Sequence, residues 1–196
     1  MNPEPPAPRS SRTAFHGSVF RLDLEDWPGV GSYQVVRHIG ASGVLPVTPS
    51  GEVLLVRQFR PPARTSLLEI PAGVLDRPDE DALACAAREL FEETGYRHEA
   101  IEFLGGFYSS PGMTDEYIHL FWARTKREPE GLPQRGIELV RMPLADVVSA
   151  ACGGRVRDSK TALALLLAAE RSSESDVSRP LDRSTLPPTH RHRGLS

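Results

Sequence analysis

The chain has 196 residues, a net charge of −3 and a hydrophobic fraction of 39%. That suffices for one domain of about 150 residues with tails, and it excludes the basic field expected of a nucleic-acid binder. No apolar run approaches the ~18 residues of a membrane span, and the two cysteines, Cys85 and Cys152, exclude a disulfide framework or a cysteine-rich zinc site. The opening MNPEPPAPRSSR has no apolar centre, so no signal peptide is expected, and a reducing, cytoplasmic setting follows.

Residues 1–13, rich in Pro, Ser and Arg, are expected to be disordered. From Val19 to Asp26, Val19, Arg21 and Asp23 alternate with Phe20, Leu22 and Leu24, which predicts a strand. The turn Trp27-Pro28-Gly29-Val30-Gly31 and a second strand over 33–38 complete a hairpin. Strands are predicted over 42–46, 52–59 and 66–70, and the run Val53-Leu54-Leu55-Val56 predicts burial on both faces. A helix follows over about 79–94, ended by Gly95 at a position that needs a left-handed residue. Strands at 100–108, 116–125 and 137–142 and helices at 143–151 and 160–172 complete the pattern. Mixed strands with helices on both sides predict an α/β/α sandwich with a strand pair outside it. From residue 173 onward the Ser, Arg, Pro and His composition predicts a solvated tail, and His190 and His192 are read as part of it rather than as a metal tract.

The helix at 79–94 carries an electrostatic conflict. Glu89, Glu92 and Glu93 stand at i, i+3 and i+4, so they share one face in the last two turns, at the negative end of the helix dipole. Arg88 meets only Glu92 at i+4, while Leu83, Ala86, Ala87, Leu90 and Phe91 form the expected core face. Clustered carboxylates are a donor set for a hard divalent cation, Mg²⁺ or Mn²⁺. The competing reading is a solvated acidic face.

The residues around that face decide between the two. Gly73, Glu80 and Arg88-Glu89-Leu90-Phe91-Glu92-Glu93-Thr94-Gly95-Tyr96 resemble the Nudix box. Seven residues separate Glu80 from Arg88, as in that box, but six separate Gly73 from Glu80 where it has five. A one-residue insertion in the turn Asp76-Arg77-Pro78-Asp79 accounts for the difference. The resemblance implies a Nudix fold with an N-terminal β-hairpin extension. The chain then divides into a disordered tail (1–13), a strand pair expected to dimerise (14–40), a hydrolase domain (41–172) and a second tail (173–196). Outside the box, Glu69-Ile70-Pro71-Ala72-Gly73 resembles the lead-in of ADP-ribose pyrophosphatases, and Pro111 in Ser110-Pro111-Gly112 lies 16 residues after Gly95, as in that subclass. Val36-Arg37-His38, Val56-Arg57-Gln58-Phe59-Arg60 and Asp158-Ser159-Lys160-Thr161 also look like the subclass, although GDP-mannose pyrophosphatases share several of these marks.

What the resemblance implies is specific. Glu89, Glu93 and the carbonyl of Ala72 are the expected ligands of Mg²⁺, with Glu92 either a third ligand or the partner of Arg88. Glu80 orients Arg88. The general base is expected to be Glu116, on a mobile loop after Ser110-Pro111-Gly112, with Asp115 as competitor. Arg57 is a further phosphate candidate; Arg60 is preferred for the diphosphate, Arg37 for the partner subunit's site, and Glu69 for the adenine amino group. Phe15 or Phe20 could stack on the base. The function implied is Mg²⁺-dependent hydrolysis of ADP-ribose to AMP and ribose 5-phosphate by a homodimer. The alternatives are another nucleotide sugar, GDP-mannose above all, and a non-catalytic nucleotide-binding sensor.

Overall fold

The computed structural model describes residues 6–173. The expected tail beyond 173, with His190 and His192, lies outside the described residues. Three strands, β1 (Ser10–His16), β2 (Phe20–Trp27) and β3 (Gly31–His38), form a separate antiparallel sheet in that order. β1 is a correction: Ser10–Thr13 was expected to be disordered. Its backbone pairs antiparallel with β2, and the Thr13 hydroxyl donates to Asp23 at 2.8 Å, so a polar segment acquires order from pairing rather than from burial.

The second sheet is mixed. β4 (Ala41–Val47), β5 (Glu52–Arg60), β8 (His98–Tyr108), β9 (Tyr117–Thr125) and β10 (Glu138–Pro143) run in the order β10-β5-β4-β9-β8. Only β4 and β9 are parallel neighbours. Two short strands extend it: β6 (Thr65–Glu69) pairs with the end of β5, and β7 (Ala72–Val74) pairs with the start of β4. A 3-10 turn over Pro61–Ala63 reverses the chain between β5 and β6.

Each face of this sheet buries its own cluster. On one side α1 (Ala82–Thr94) places Ala86 and Leu90 against Val44, Leu54 and Phe121. On the other, α2 (Leu144–Cys152) and α3 (Ser159–Ser173) place Val147, Ala164 and Leu165 against Leu45, Val53, Leu55 and Leu120. The two-sided burial expected of Val53–Val56 is present, since all four are 0–1% exposed. The result is the predicted α/β/α sandwich with an N-terminal β extension.

On β2 the alternation buries acids rather than apolar side chains. Asp23 and Glu25 are buried, while Phe20 is exposed and packs on exposed Phe15 with ring centroids 5.7 Å apart. The acids go inward because cations meet them: Arg37 pairs with Asp23 at 3.7 Å and with Glu25 at 2.6 Å, and Arg21 with Asp23 at 3.0 Å.

Candidate active site

α1 starts three residues later than predicted. Asp81 is its N-cap and accepts from the Ala84 N–H at 2.8 Å. The preceding turn contains Asp79 at φ 61, the left-handed residue that absorbs the extra length between Gly73 and Glu80. Gly95 ends the helix at φ 77, and its Cβ would lie 2.3 Å from the Gly131 carbonyl oxygen, so both conformation and space demand glycine there.

Beside the expected core positions Ala86 and Leu90, α1 buries a second stripe that its apolar residues do not suggest. Leu83 is exposed, whereas Cys85, Glu89 and Glu93 are buried at successive i+4 positions. The stripe runs beneath β7. Cys85 lies at the Gly73 and Val74 carbonyls, the Ala72 N–H donates to Glu93 Oε2 at 3.2 Å, and a Cβ on Gly73 would stand 1.9 Å from Glu89 Oε1. Gly73 is therefore required by the Glu89 carboxylate, which fills the space a side chain would take. Burial drives the Cys85 thiol up to about 12, so it is an inert packing group.

The three carboxylates that share the α1 face, Glu89, Glu92 and Glu93, part company. Glu92 is partly exposed and accepts from Arg77 at 2.8 Å and from Arg88 at 3.2 Å. Arg88 also binds Glu80 through both carboxylate oxygens, at 2.7 and 2.8 Å, and Glu89 at 2.5 Å. Arg88 is thus surrounded by acids, and Glu80 holds it as expected. Glu92 is thus a partner of Arg88, one of its two expected roles.

Glu89 and Glu93 remain as a desolvated pair. Burial raises both, the first against the pull of Arg88, and with added repulsion from Glu89 it takes Glu93 to about 7. Among the described residues no three His, Cys, Asp or Glu side chains converge as a ready metal cage. The donor set that does exist is two buried carboxylates that repel each other, with one backbone N–H shown donating to Glu93. Hard oxygen donors under mutual repulsion fit a divalent cation.

A second cluster flanks Glu93. Glu69, 1% exposed, accepts from Arg60 Nε at 2.7 Å and Nη2 at 2.8 Å, and from Lys160 Nζ. Burial opposes the Glu69 charge, but Arg60 and Lys160 outweigh it and hold the carboxyl below its usual range. Both Glu69 oxygens thus accept from cations, so the residue expected to meet an adenine amino group is here an ion-pair partner of Arg60 and Lys160. Arg60 lies near enough to Glu93 for the two charges to stabilise each other. Arg57, by contrast, makes a surface ion pair with Glu138 at 3.3 Å on the other face of β5. Lys160 and Asp158, at the start of α3, had no expected role at the site; the only sequence signal was the Asp158-Ser159-Lys160-Thr161 resemblance.

The third element is the loop 109–116. Its chain is stitched to β3: the Val36 N–H donates to the Met113 carbonyl at 2.9 Å, the Asp115 N–H to the Val36 carbonyl at 3.2 Å, and the Tyr33 hydroxyl to the Gly112 carbonyl at 2.6 Å. Asp115 accepts from the His38 N–H at 2.8 Å and from Arg37 Nη1 at 3.1 Å. Arg37 is therefore occupied within its own chain. Pro111 and Asp115 line a cavity of about 280 Å³ with Trp27, Tyr33 and Arg37. Glu116 accepts from the Ser109 hydroxyl at 2.5 Å, with His38 Nδ1 at 3.7 Å, and remains partly exposed. Its neighbour Tyr117 and Leu75 of the turn before α1 both border Gly40, which puts the start of β9 beside the entry to the box.

The NUDIX domain family matches residues 36–165, a span that contains the box, the Arg60–Glu69 pair and the 109–116 loop. The chain belongs to the NUDIX family. It is 37% identical over 161 residues to an ADP-ribose pyrophosphatase of Bacillus subtilis strain 168, covering 77% of this chain and 85% of that protein. It is also 37% identical over 159 residues to a methanol dehydrogenase activator of Bacillus methanolicus, with the same coverage. A GDP-mannose pyrophosphatase of Yersinia enterocolitica is 33% identical over 171 residues, covering 79% of this chain and 88% of that one. A crystal structure of an ADP compounds hydrolase superposes with a TM-score of 0.70 at 20% identity, over 89% of this chain and 98% of that one, which shows the shared NUDIX fold. NUDIX hydrolases of this kind work with divalent metal ions on nucleotide substrates. Among the described residues no helix is long and apolar enough to cross a membrane.

Proposed function

We propose that this NUDIX hydrolase cleaves the diphosphate of ADP-ribose, giving AMP and ribose 5-phosphate, with Mg²⁺ as its metal. The observation that carries the reading is the buried Glu89–Glu93 pair beneath Gly73 with the Arg60 guanidinium beside it: two anionic oxygen donors and one cation at a single place. A diphosphate linker offers the complementary chemistry, oxygens for a cation and charge for an arginine. The similarity to the Bacillus subtilis ADP-ribose pyrophosphatase supports ADP-ribose in particular.

Glu89, Glu93 and the Ala72 carbonyl would hold the ion. When bound, it neutralises phosphate oxygens and acidifies a coordinated water. Arg60 orients the diphosphate, and Arg88 with Glu80 keeps Glu89 in place. Water adds to one phosphorus, the bridging P–O bond breaks, and the proton of the water passes to Glu116, which the Ser109 hydroxyl orients. The three-stranded N-terminal sheet, joined to the sandwich through the 109–116 loop, is the surface on which a second copy would dock to form a homodimer. A cytoplasmic setting agrees with the free thiols Cys85 and Cys152.

The test is a panel of ADP-ribose, GDP-mannose, NADH and diadenosine polyphosphates with Mg²⁺, with product analysis. AMP and ribose 5-phosphate formed fastest from ADP-ribose is the expected result. GDP-mannose turned over faster would favour the second reading, to which the similarity to the Yersinia enzyme lends support. No hydrolysis of any compound would favour a nucleotide-binding sensor, the reading against which the intact buried carboxylate pair argues.

A further inference from the structure

The four charges between the ends of β5 and β6 and the start of α3 are placed unlike an ordinary core ion pair. Arg60 and Lys160 face Glu69 and Asp158, so the set is neutral. Three of the four side chains are largely buried, Glu69 at 1%, Asp158 at 13% and Lys160 at 14%, while Arg60 is 39% exposed. Arg60 spends Nε and Nη2 on the Glu69 carboxylate, and its Nη1 makes no hydrogen bond to a described residue. A guanidinium is a rigid plane, so clamping one edge sets the direction of the other. Lys160 donates to Glu69 on one side and to Asp158 at 2.8 Å on the other, which fixes the carboxylate that does the clamping. The start of α3 is itself latched to the link between β6 and β7: Thr161 accepts from the Ile70 N–H at 2.8 Å, and Asp158 accepts from the Thr161 N–H at 3.0 Å and from its hydroxyl.

We propose that Lys160 is a positioning residue for the hydrolytic reaction: acting through Glu69, it aims the free edge of Arg60 at the diphosphate of the substrate. The inference rests on the reading that Arg60 contacts that diphosphate. Lys160 need not touch substrate. Its charge keeps Glu69 anionic and in one place, so that Arg60 meets the substrate already oriented and the ordering cost falls before binding. A lysine is suited to this because its compact ammonium can bridge two carboxylates that approach from different elements.

A kinetic double-mutant cycle on the full chain, with ADP-ribose and Mg²⁺, separates this from a purely stabilising role. Arg60→Met is expected to lower kcat/KM by about 10²-fold and Lys160→Met by about 10-fold, with the double variant close to Arg60→Met alone. Lys160→Arg, which keeps the charge, should recover activity to within about threefold of wild type. Additive losses in the double variant overturn the proposal. So does a Lys160→Met enzyme that melts earlier but retains wild-type kcat and KM well below its melting temperature. Wild-type turnover of ADP-ribose is the control for the substrate reading. If Arg60→Met leaves hydrolysis unchanged, the Arg60 contact itself is wrong and the inference falls with it. Lys160→Gln replaces the Met variant should that chain not fold, with the same expected cycle.

Discussion

The box half of the site and the loop half hold their acids in opposite ways. On α1, Glu89 and Glu93 are 9% and 6% exposed, and burial raises them against their charge. On the loop side, Glu116 and Asp115 stay partly exposed and are held by a hydroxyl, a backbone N–H and Arg37. A cation-binding pair gains from desolvation, because the repulsion that makes it unstable when empty strengthens its hold on a metal. A base needs access to water and to its proton, so it gains from partial exposure on a segment tethered at a few points. The difference separates acids that lose their water under a glycine strand, the pair proposed above to hold the metal, from acids that keep it on a tethered loop.

Breaking the box half should cost most. Glu93→Gln is expected to lower kcat by about 10²-fold or more with the fold retained, measured by steady-state kinetics and circular dichroism. Turnover like wild type would remove the pair from the mechanism. On the loop side, Glu116→Gln should lower kcat by about 10- to 10²-fold while metal affinity, followed by isothermal titration, stays unchanged. If Asp115→Asn alone has that effect, the base is the neighbour. Gly73→Ala tests the close approach. The new methyl would stand 1.9 Å from Glu89 Oε1 and displace a buried carboxylate that Arg88 holds, so stability should fall by about 1–2 kcal/mol while kcat/KM falls about 10-fold or more. Equal losses in melting temperature and activity would mean that the glycine serves the backbone instead.

Smaller effects sharpen the contrast. Arg37→Met should cost severalfold in kcat and speed amide exchange across 109–116, leaving exchange in α1 untouched, since Arg37 holds the loop through Asp115 and not the box. The metal-free protein gives the smallest signal. The folded Glu93 carboxyl titrates near 7 against an ordinary 4.5, so the folded state binds that proton more tightly. Its stabilising contribution is full below about 4.5 and is lost as pH rises through 7. Glu93→Gln should therefore raise the metal-free melting temperature at pH 8 by a few degrees and leave it nearly unchanged at pH 5. A rise of equal size at both pH values would mean that the carboxyl is not held neutral at the lower one.

Local pattern was enough for most of the fold. The two-sided run Val53–Val56, the αL stop at Gly95 and the box spacing with its extra residue all follow from side-chain period, conformational preference and turn chemistry, which act over a few residues. They place the strands and the box helix without long-range information, and the NUDIX assignment came from the resemblance of the box residues to that family's motif. What stayed hidden depends on neighbours far along the chain. β1 is polar and ordered only by pairing with β2. The inward turn of Asp23 and Glu25 depends on Arg37, and the exposure of Leu83 on which face of α1 meets the sheet. The division of Glu89 and Glu93 from Glu92 depends on β7 crossing one side of α1 while Arg77 reaches the other. The Glu69 ion-pair cluster was the least legible, because Lys160 arrives from 91 residues away. The sequence by itself determined that clustered acids, a glycine strand and a terminal arginine are present. Only the tertiary structure decided which acids lose their water and which keep a cation, since desolvation and pairing are properties of the surroundings and not of the residue.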